Sequence, residues 1–233
     1  RVSTGIRNTL IGALAGDAIT TGNSNVSVGH GSLSLNTASH RNTAIGEFSL
    51  AALNITTSTN AYNTALGYSA GAAVTTGIQN VLIGGLAGDA ITDADFNTAV
   101  GHGSLSQNVL GSKNTALGTF SLLNVNPATA ADTLNVGVGY GAGQNVTTAV
   151  FNTLVGGLAG DALTTGQENA AFGYLALSGD TLGSHSVAVG SYALQAQNFT
   201  TATDSFNTAV GYAAGTAVTT GLNNTLIGGQ AGD

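Results

Sequence analysis

The chain has no cysteine, methionine or tryptophan, a single proline, and little charge: 4 Lys and Arg against 11 Asp and Glu in 233 residues. The missing thiols exclude disulfides, thiol catalysis and thiolate metal sites. Four cations and a formal net charge of −7 cannot neutralise a run of phosphates, which sets nucleic acid aside as a partner. No apolar run approaches the roughly 18 to 20 residues of a membrane helix, so no membrane insertion is expected of this segment. Charged residues make up 6% of the chain, against about a quarter in ordinary domains, too few to coat a globule. Asn, Thr, Ser and Gly must solvate the surface instead, which suits a long thin object. The chain opens at Arg1 without a signal-peptide pattern and reads as one segment, residues 1–233, of a longer fibre polypeptide.

What is present is a repeat. A string Asn-x-x-apolar-Gly occurs 13 times, with Ser for Asn once, starting at Asn8, Asn25, Asn42, Asn63, Asn80, Asn97, Asn114, Asn135, Asn152, Asn169, Ser186, Asn207 and Asn224. The spacing cycles through three 17s and one 21, giving 72-residue blocks that begin near 8, 80, 152 and 224. The order has two levels: NTLIGALAGDA at Asn8 returns as NVLIGGLAGDA at Asn80 and NTLVGGLAGDA at Asn152.

The string closes without exception on glycine: Gly12, Gly29, Gly46, Gly67, Gly84, Gly101, Gly118, Gly139, Gly156, Gly173, Gly190, Gly211 and Gly228. Such a column implies a place where a Cβ does not fit or φ is positive. Three residues later only Ala or Ser occurs, from Ala15 to Ala231, which implies a narrow interior. The Asn column suits a turn and, stacked, a ladder of amides. β-branched residues and dense glycine favour strand over helix. Each unit therefore reads as one coil of an all-β parallel β-roll, a β-solenoid of 13 coils. Two strands per coil are expected, one at Thr-Ala-Val-Gly and one at Val-Thr-Thr (Val74–Thr76, Val146–Thr148, Val218–Thr220). Stacked at roughly 4.8 Å, the coils make a rod of roughly 60 Å. A coil this thin leaves long flat faces uncovered, so a parallel homotrimer is expected.

HSVAVGSYALQAQN, His185 to Asn198, resembles the head repeats of YadA-like trimeric autotransporter adhesins. NTALGYSAGAAVTTG, Asn63 to Gly77, resembles the Asn-Thr-Ala-x-Gly-Tyr repeats of phage tail fibres. The resemblance implies a left-handed parallel β-roll, homotrimeric, extracellular on a virion or cell surface, and used in attachment. The 17- and 21-residue coils depart from the adhesin pattern and favour the fibre branch, with a bacterial adhesin head as the alternative.

The four-residue insertion returns once per block, around residues 54–62, 124–134 and 198–206, and would project at roughly 19 Å intervals. Its Tyr62, Pro127, Asp132, Phe199, Asp204 and Phe206 are candidate contacts to a cell-surface receptor or glycan. His30 and His102 share one block position, with Tyr174 in the third copy. In a trimer they would form imidazole rings, the one candidate metal site, against which the Tyr argues for packing. His40 and His185 are expected to be solvated. GGLAGD, residues 84–89, resembles a calcium nonapeptide, but the Asp of AGD (Asp17, Asp89, Asp161, Asp233) returns only every 72 residues, so a turn cap is expected. The Thr pairs (Thr20 and Thr21, Thr75 and Thr76, Thr147 and Thr148, Thr164 and Thr165, Thr219 and Thr220) raise ice binding as a third reading. Val109 and Leu110 interrupt the array, and hydroxyls turned to solvent are expected instead. Asp93, Asp95, Glu47 and Glu168 form no shielded carboxylate pair, and no cofactor fingerprint is present, so neither enzyme nor cofactor is expected.

Overall fold

The computed structural model describes residues 2–233 as a parallel β-solenoid. Thirteen three-residue strands, from Thr9–Ile11 to Thr225–Ile227, join in chain order into one 13-stranded sheet. Thr9 pairs with Val26, Leu10 with Ser27 and Ile11 with Val28 across a 17-residue coil. Thr43 pairs with Thr64 across a 21-residue coil, so the inserted residues are absorbed outside the sheet. Among the described residues no helix is long and apolar enough to cross a membrane.

Strands are short because four positions per coil turn the backbone. The closing glycine has φ between 124° and 143°. A Cβ built on Gly101 would stand 2.6 Å from both the carbonyl carbon and oxygen of Gly118 in the next coil. The other three turning positions are the residue before the Asn and those two and four after the Gly, all at φ between 47° and 69°. Twenty-nine of these residues are not glycine, and none is Thr, Val or Ile. A branched Cβ is the costliest side chain to hold in left-handed geometry, whereas Leu, Phe and Arg tolerate it. The Asn itself is not the left-handed residue; the one before it is.

Interior packing explains the 72-residue period. In the first coil of each block a large residue sits mid-strand (Leu10, Leu82, Leu154) and glycine four after the string (Gly16, Gly88, Gly160). A Cβ on Gly88 would meet Leu82 at 2.7 Å and Ile91 at 2.9 Å. In the second and third coils the mid-strand residue is Ser or Ala, and Leu33, Leu50, Leu105, Leu122, Leu177 and Leu194 fill the space from the other wall, fully buried. The fourth coil is small at both places, and Gly71 is overlaid by Leu50 from below and Leu82 from above. The leucines thus fill the narrow interior from one wall in the first coil and from the other in the second and third.

The expected second strand does not form. The N–H groups of Thr75, Thr76 and Gly77 all converge on the carbonyl of Thr92, at 2.8, 3.3 and 3.2 Å. Successive N–H groups of a strand point to opposite sides, so three aimed at one oxygen make a turn. Short additional pairings stand beside the insertions: Gly111–Ser112 with Ala131–Asp132, Gly183–Ser184 with Thr203–Asp204, and a single bridge between His40 and Asn60.

The Asn column lies inside and forms a continuous ladder. From Asn25 to Ser186, ten successive backbone N–H groups donate to the Oδ1 of the Asn one coil earlier, at 2.9 to 3.1 Å. Most Nδ2 groups donate to a carbonyl 14 residues on, as Asn80 does to Ala94 at 2.9 Å. Each rung satisfies a buried backbone donor that sheet pairing cannot reach.

Ser186 breaks the ladder, and a local network replaces it. Gln197 Nε2 donates to Asp180 Oδ2 at 2.6 Å and to Ser186 Oγ at 2.8 Å, and its Oε1 accepts from Asn207 Nδ2 at 2.8 Å. Ser186 and Ser205 hydroxyls meet at 2.6 Å. The earlier blocks hold Asn36, Asn42 and Leu53, or Asn108, Asn114 and Val125, at the positions of Asp180, Ser186 and Gln197. Gln197→Leu alone strands a fully buried carboxylate oxygen, and a loss of about 2 to 4 kcal/mol in denaturant unfolding is expected. The triple change Asp180→Asn, Ser186→Asn and Gln197→Leu is expected to recover most of it; additive losses would show the three residues are not one unit.

Candidate functional site

The insertions and the column before each Asn share one edge. In the third and fourth coils of each block this edge pairs a cation with a large residue. The Arg41 guanidinium lies 5.3 Å from the Tyr62 ring centre and donates to its hydroxyl. Lys113 pairs with Asp132 at 2.5 Å and precedes Leu134 in the column. His185 stacks on Phe206 at 5.1 Å and reaches Asp204 at 3.1 Å and Glu168 at 3.5 Å.

Tyr62, Asp132, Asp204 and Phe206 are exposed on this edge. Pro127 and Phe199 are not, and cannot contact a ligand. They sit, with Ile55 in the first block, over the smallest positions of the preceding coil: a Cβ on Gly111 would meet Pro127 at 3.3 Å, and one on Gly183 would meet Phe199 at 2.8 Å. They anchor the insertions. The two histidines expected in solvent are also held. His40 Nδ1 accepts the backbone N–H of Asn23 at 2.9 Å, and its Nε2 lies 2.8 Å from Ser58 Oγ, so Nε2 carries the proton. Ser112 fills the same role in the next block, its Oγ accepting the N–H of Asp95 at 3.0 Å.

A second line of side chains follows the glycine column. His30 is edge-on to Phe48 at 5.2 Å and 3.6 Å from Glu47. His102 is edge-on to Phe120, which is edge-on to Tyr140; in the third block Tyr174, Tyr192 and Tyr212 repeat the arrangement at 5.6 and 5.8 Å. His30 and His102 are thus members of aromatic files, and Tyr174 replaces them as another ring. Among the described residues no three His, Asp or Glu gather in a metal-binding group. In four of the five Thr pairs the first hydroxyl donates to a carbonyl of the next coil, at 3.0 to 3.2 Å, and is not turned freely to solvent.

The AGD carboxylates are less comfortable. Asp89 and Asp161 each bury one oxygen, Oδ1, without a hydrogen-bond partner. Desolvation raises both carboxyls above their ordinary 3.8, opposed by nearby backbone N–H groups. The folded chain therefore holds these protons more tightly than the unfolded one, and their contribution to stability falls as pH rises through and above that value. Asp89→Asn with Asp161→Asn is expected to raise the melting midpoint at neutral pH, and the gain is expected to vanish in acid. A gain that persists in acid would refute the assignment.

No family model, curated protein or solved structure matches the chain.

Proposed function

We propose that the chain is a segment of an elongated homotrimeric fibre that holds exposed edges out to a cell surface, in the manner of a phage tail fibre and outside the cell. The observation that carries this reading is the outer face of the sheet. The residue before each closing glycine is aliphatic or aromatic in every coil and points outward, with Ile11 59%, Leu66 45%, Phe172 40% and Ile227 70% exposed. A monomer rarely leaves so long an apolar stripe in water. Three identical rods side by side cover it, and equivalent rungs meet around the axis. Attachment then works by multiplicity: stacked coils resist bending, and each exposed contact is presented three times. It requires no catalytic residue.

Native mass spectrometry is expected to give three times 22.7 kDa. Leu66→Lys with Leu117→Lys, at outward rungs of the stripe, is expected to yield folded monomers. A wild-type monomer would overturn the trimer, and fibres that do not adhere to any cell would overturn attachment.

A further inference from the structure

The column before the Asn carries Arg7, Ser24, Arg41 and Tyr62 in the first four coils. Ser24 is the smallest residue in that column, where the later blocks place Phe96 and Glu168. Arg7 and Arg41 lie two coils apart, roughly 10 Å along the stack. A cavity of about 200 Å³ opens between them, lined by Arg7, Asn23, Ser24, His40, Arg41 and Asn60.

Its charge is opposite to that of the chain as a whole. Lys113 and His185, the counterparts of Arg41, are each met by an acid, Asp132 and Asp204. At that position the first block has Asn60, so no carboxylate meets Arg41, whose guanidinium rests against the Tyr62 ring and donates to its hydroxyl. No acidic residue lines the cavity. Two arginines therefore line a recess in a chain of net charge −7. The floor is fixed beforehand: Asn23 Oδ1 accepts the N–H of Ile6 at 2.8 Å, and His40 is held from both ring nitrogens.

We propose that this recess binds an anionic sugar, one pyranose ring bearing a carboxylate. Guanidinium groups match a planar carboxylate through two parallel hydrogen bonds. Asn23, Ser24 and Asn60 offer the neutral donors and acceptors that ring hydroxyls need. The volume lies below the roughly 300 to 1,000 Å³ of drug-sized sites, which leaves room for one ring. The biological setting rests on the attachment reading, but the binding itself does not.

Saturation-transfer NMR on the intact assembly at low salt tests this with glucuronate, glucose and inorganic phosphate as probes. Glucuronate is expected to bind, glucose not, and equimolar phosphate to leave most of the glucuronate signal. Ser24→Phe, which copies Phe96, fills the gap without changing charge and is expected to weaken glucuronate binding about tenfold or more, with an unchanged melting midpoint. Arg7→Gln with Arg41→Leu, copying Gln79 and Leu134 of the same column, gives an independent loss should Ser24→Phe misfold. Undiminished binding in a folded variant, equal binding of glucose, or full displacement by phosphate would each overturn the sugar site while leaving the native mass, and so the fibre reading, untouched.

Discussion

Gly101→Ala is expected to unfold the middle of the rod, while Gly228→Ala is expected to leave it standing. Both glycines have strongly positive φ, 133° and 124°, so both substitutions incur the conformational cost, about 1 to 3 kcal/mol. Only Gly101 is overlaid by another coil, with Gly118 carbon and oxygen at 2.6 Å and Thr119 nitrogen at 2.9 Å from the added Cβ. At Gly228 the nearest atom is the Ala231 Cβ at 4.0 Å. The obstacle at Gly101 is backbone, which cannot swing aside as a side-chain tip can. A loss above about 4 kcal/mol is therefore expected there. Since coils contact only their neighbours, the damage should split one denaturant transition into two. Equal losses at the two sites would show that φ alone fixes the glycine, and that coil contact does not.

The second large effect is expected from Asn80→Ala. Asn80 is fully buried, its Oδ1 accepts the Asn97 N–H at 2.9 Å, and its Nδ2 donates to the Ala94 carbonyl at 2.9 Å. Truncation leaves both backbone groups without that partner in the interior. At about 1 to 3 kcal/mol each, the loss should reach about 2 to 6 kcal/mol. The amide of Asn97 should also exchange with deuterium faster than its neighbours. Asn80→Asp keeps the acceptor but points an oxygen at the Ala94 carbonyl, so it should be at least as harmful at neutral pH and milder in acid, where protonation restores a donor. An Asn80→Ala chain as stable as the parent would show that the ladder does not hold the coils in register.

Coil length, stacking register and the narrow interior were legible because each leaves a column in the sequence: Gly closes the strings, Ala or Ser follows three residues later, and the blocks repeat at 72. The Val-Thr-Thr segment misled because β-branched residues favour strands in general, whereas here three N–H groups share the Thr92 oxygen. The left-handed positions also leave a signal in the sequence. Three columns of a chain rich in Thr and Val contain neither residue, nor Ile, and steric exclusion of branched side chains is the reason. Pro127 and Phe199 looked like loop-tip contacts because insertions usually sit in water. Their burial depends on Gly111 and Gly183 one coil earlier, a relation that appears only once the coils are superposed. The basic recess depends on comparison between blocks, where Asn60 stands in for Asp132 and Asp204.

The alternation of leucines between the two walls has a consequence for how such a molecule can change in length. Most cuts that remove or add fewer than four coils break the order of one mid-strand leucine coil, two opposite-wall leucine coils and one hollow coil. A whole block inserts cleanly, because its last coil already fits the first coil of every other block. Growth or shortening in steps of 72 residues thus keeps every junction native. Each step changes the length of the solenoid by roughly 19 Å and leaves the register of its remaining coils undisturbed.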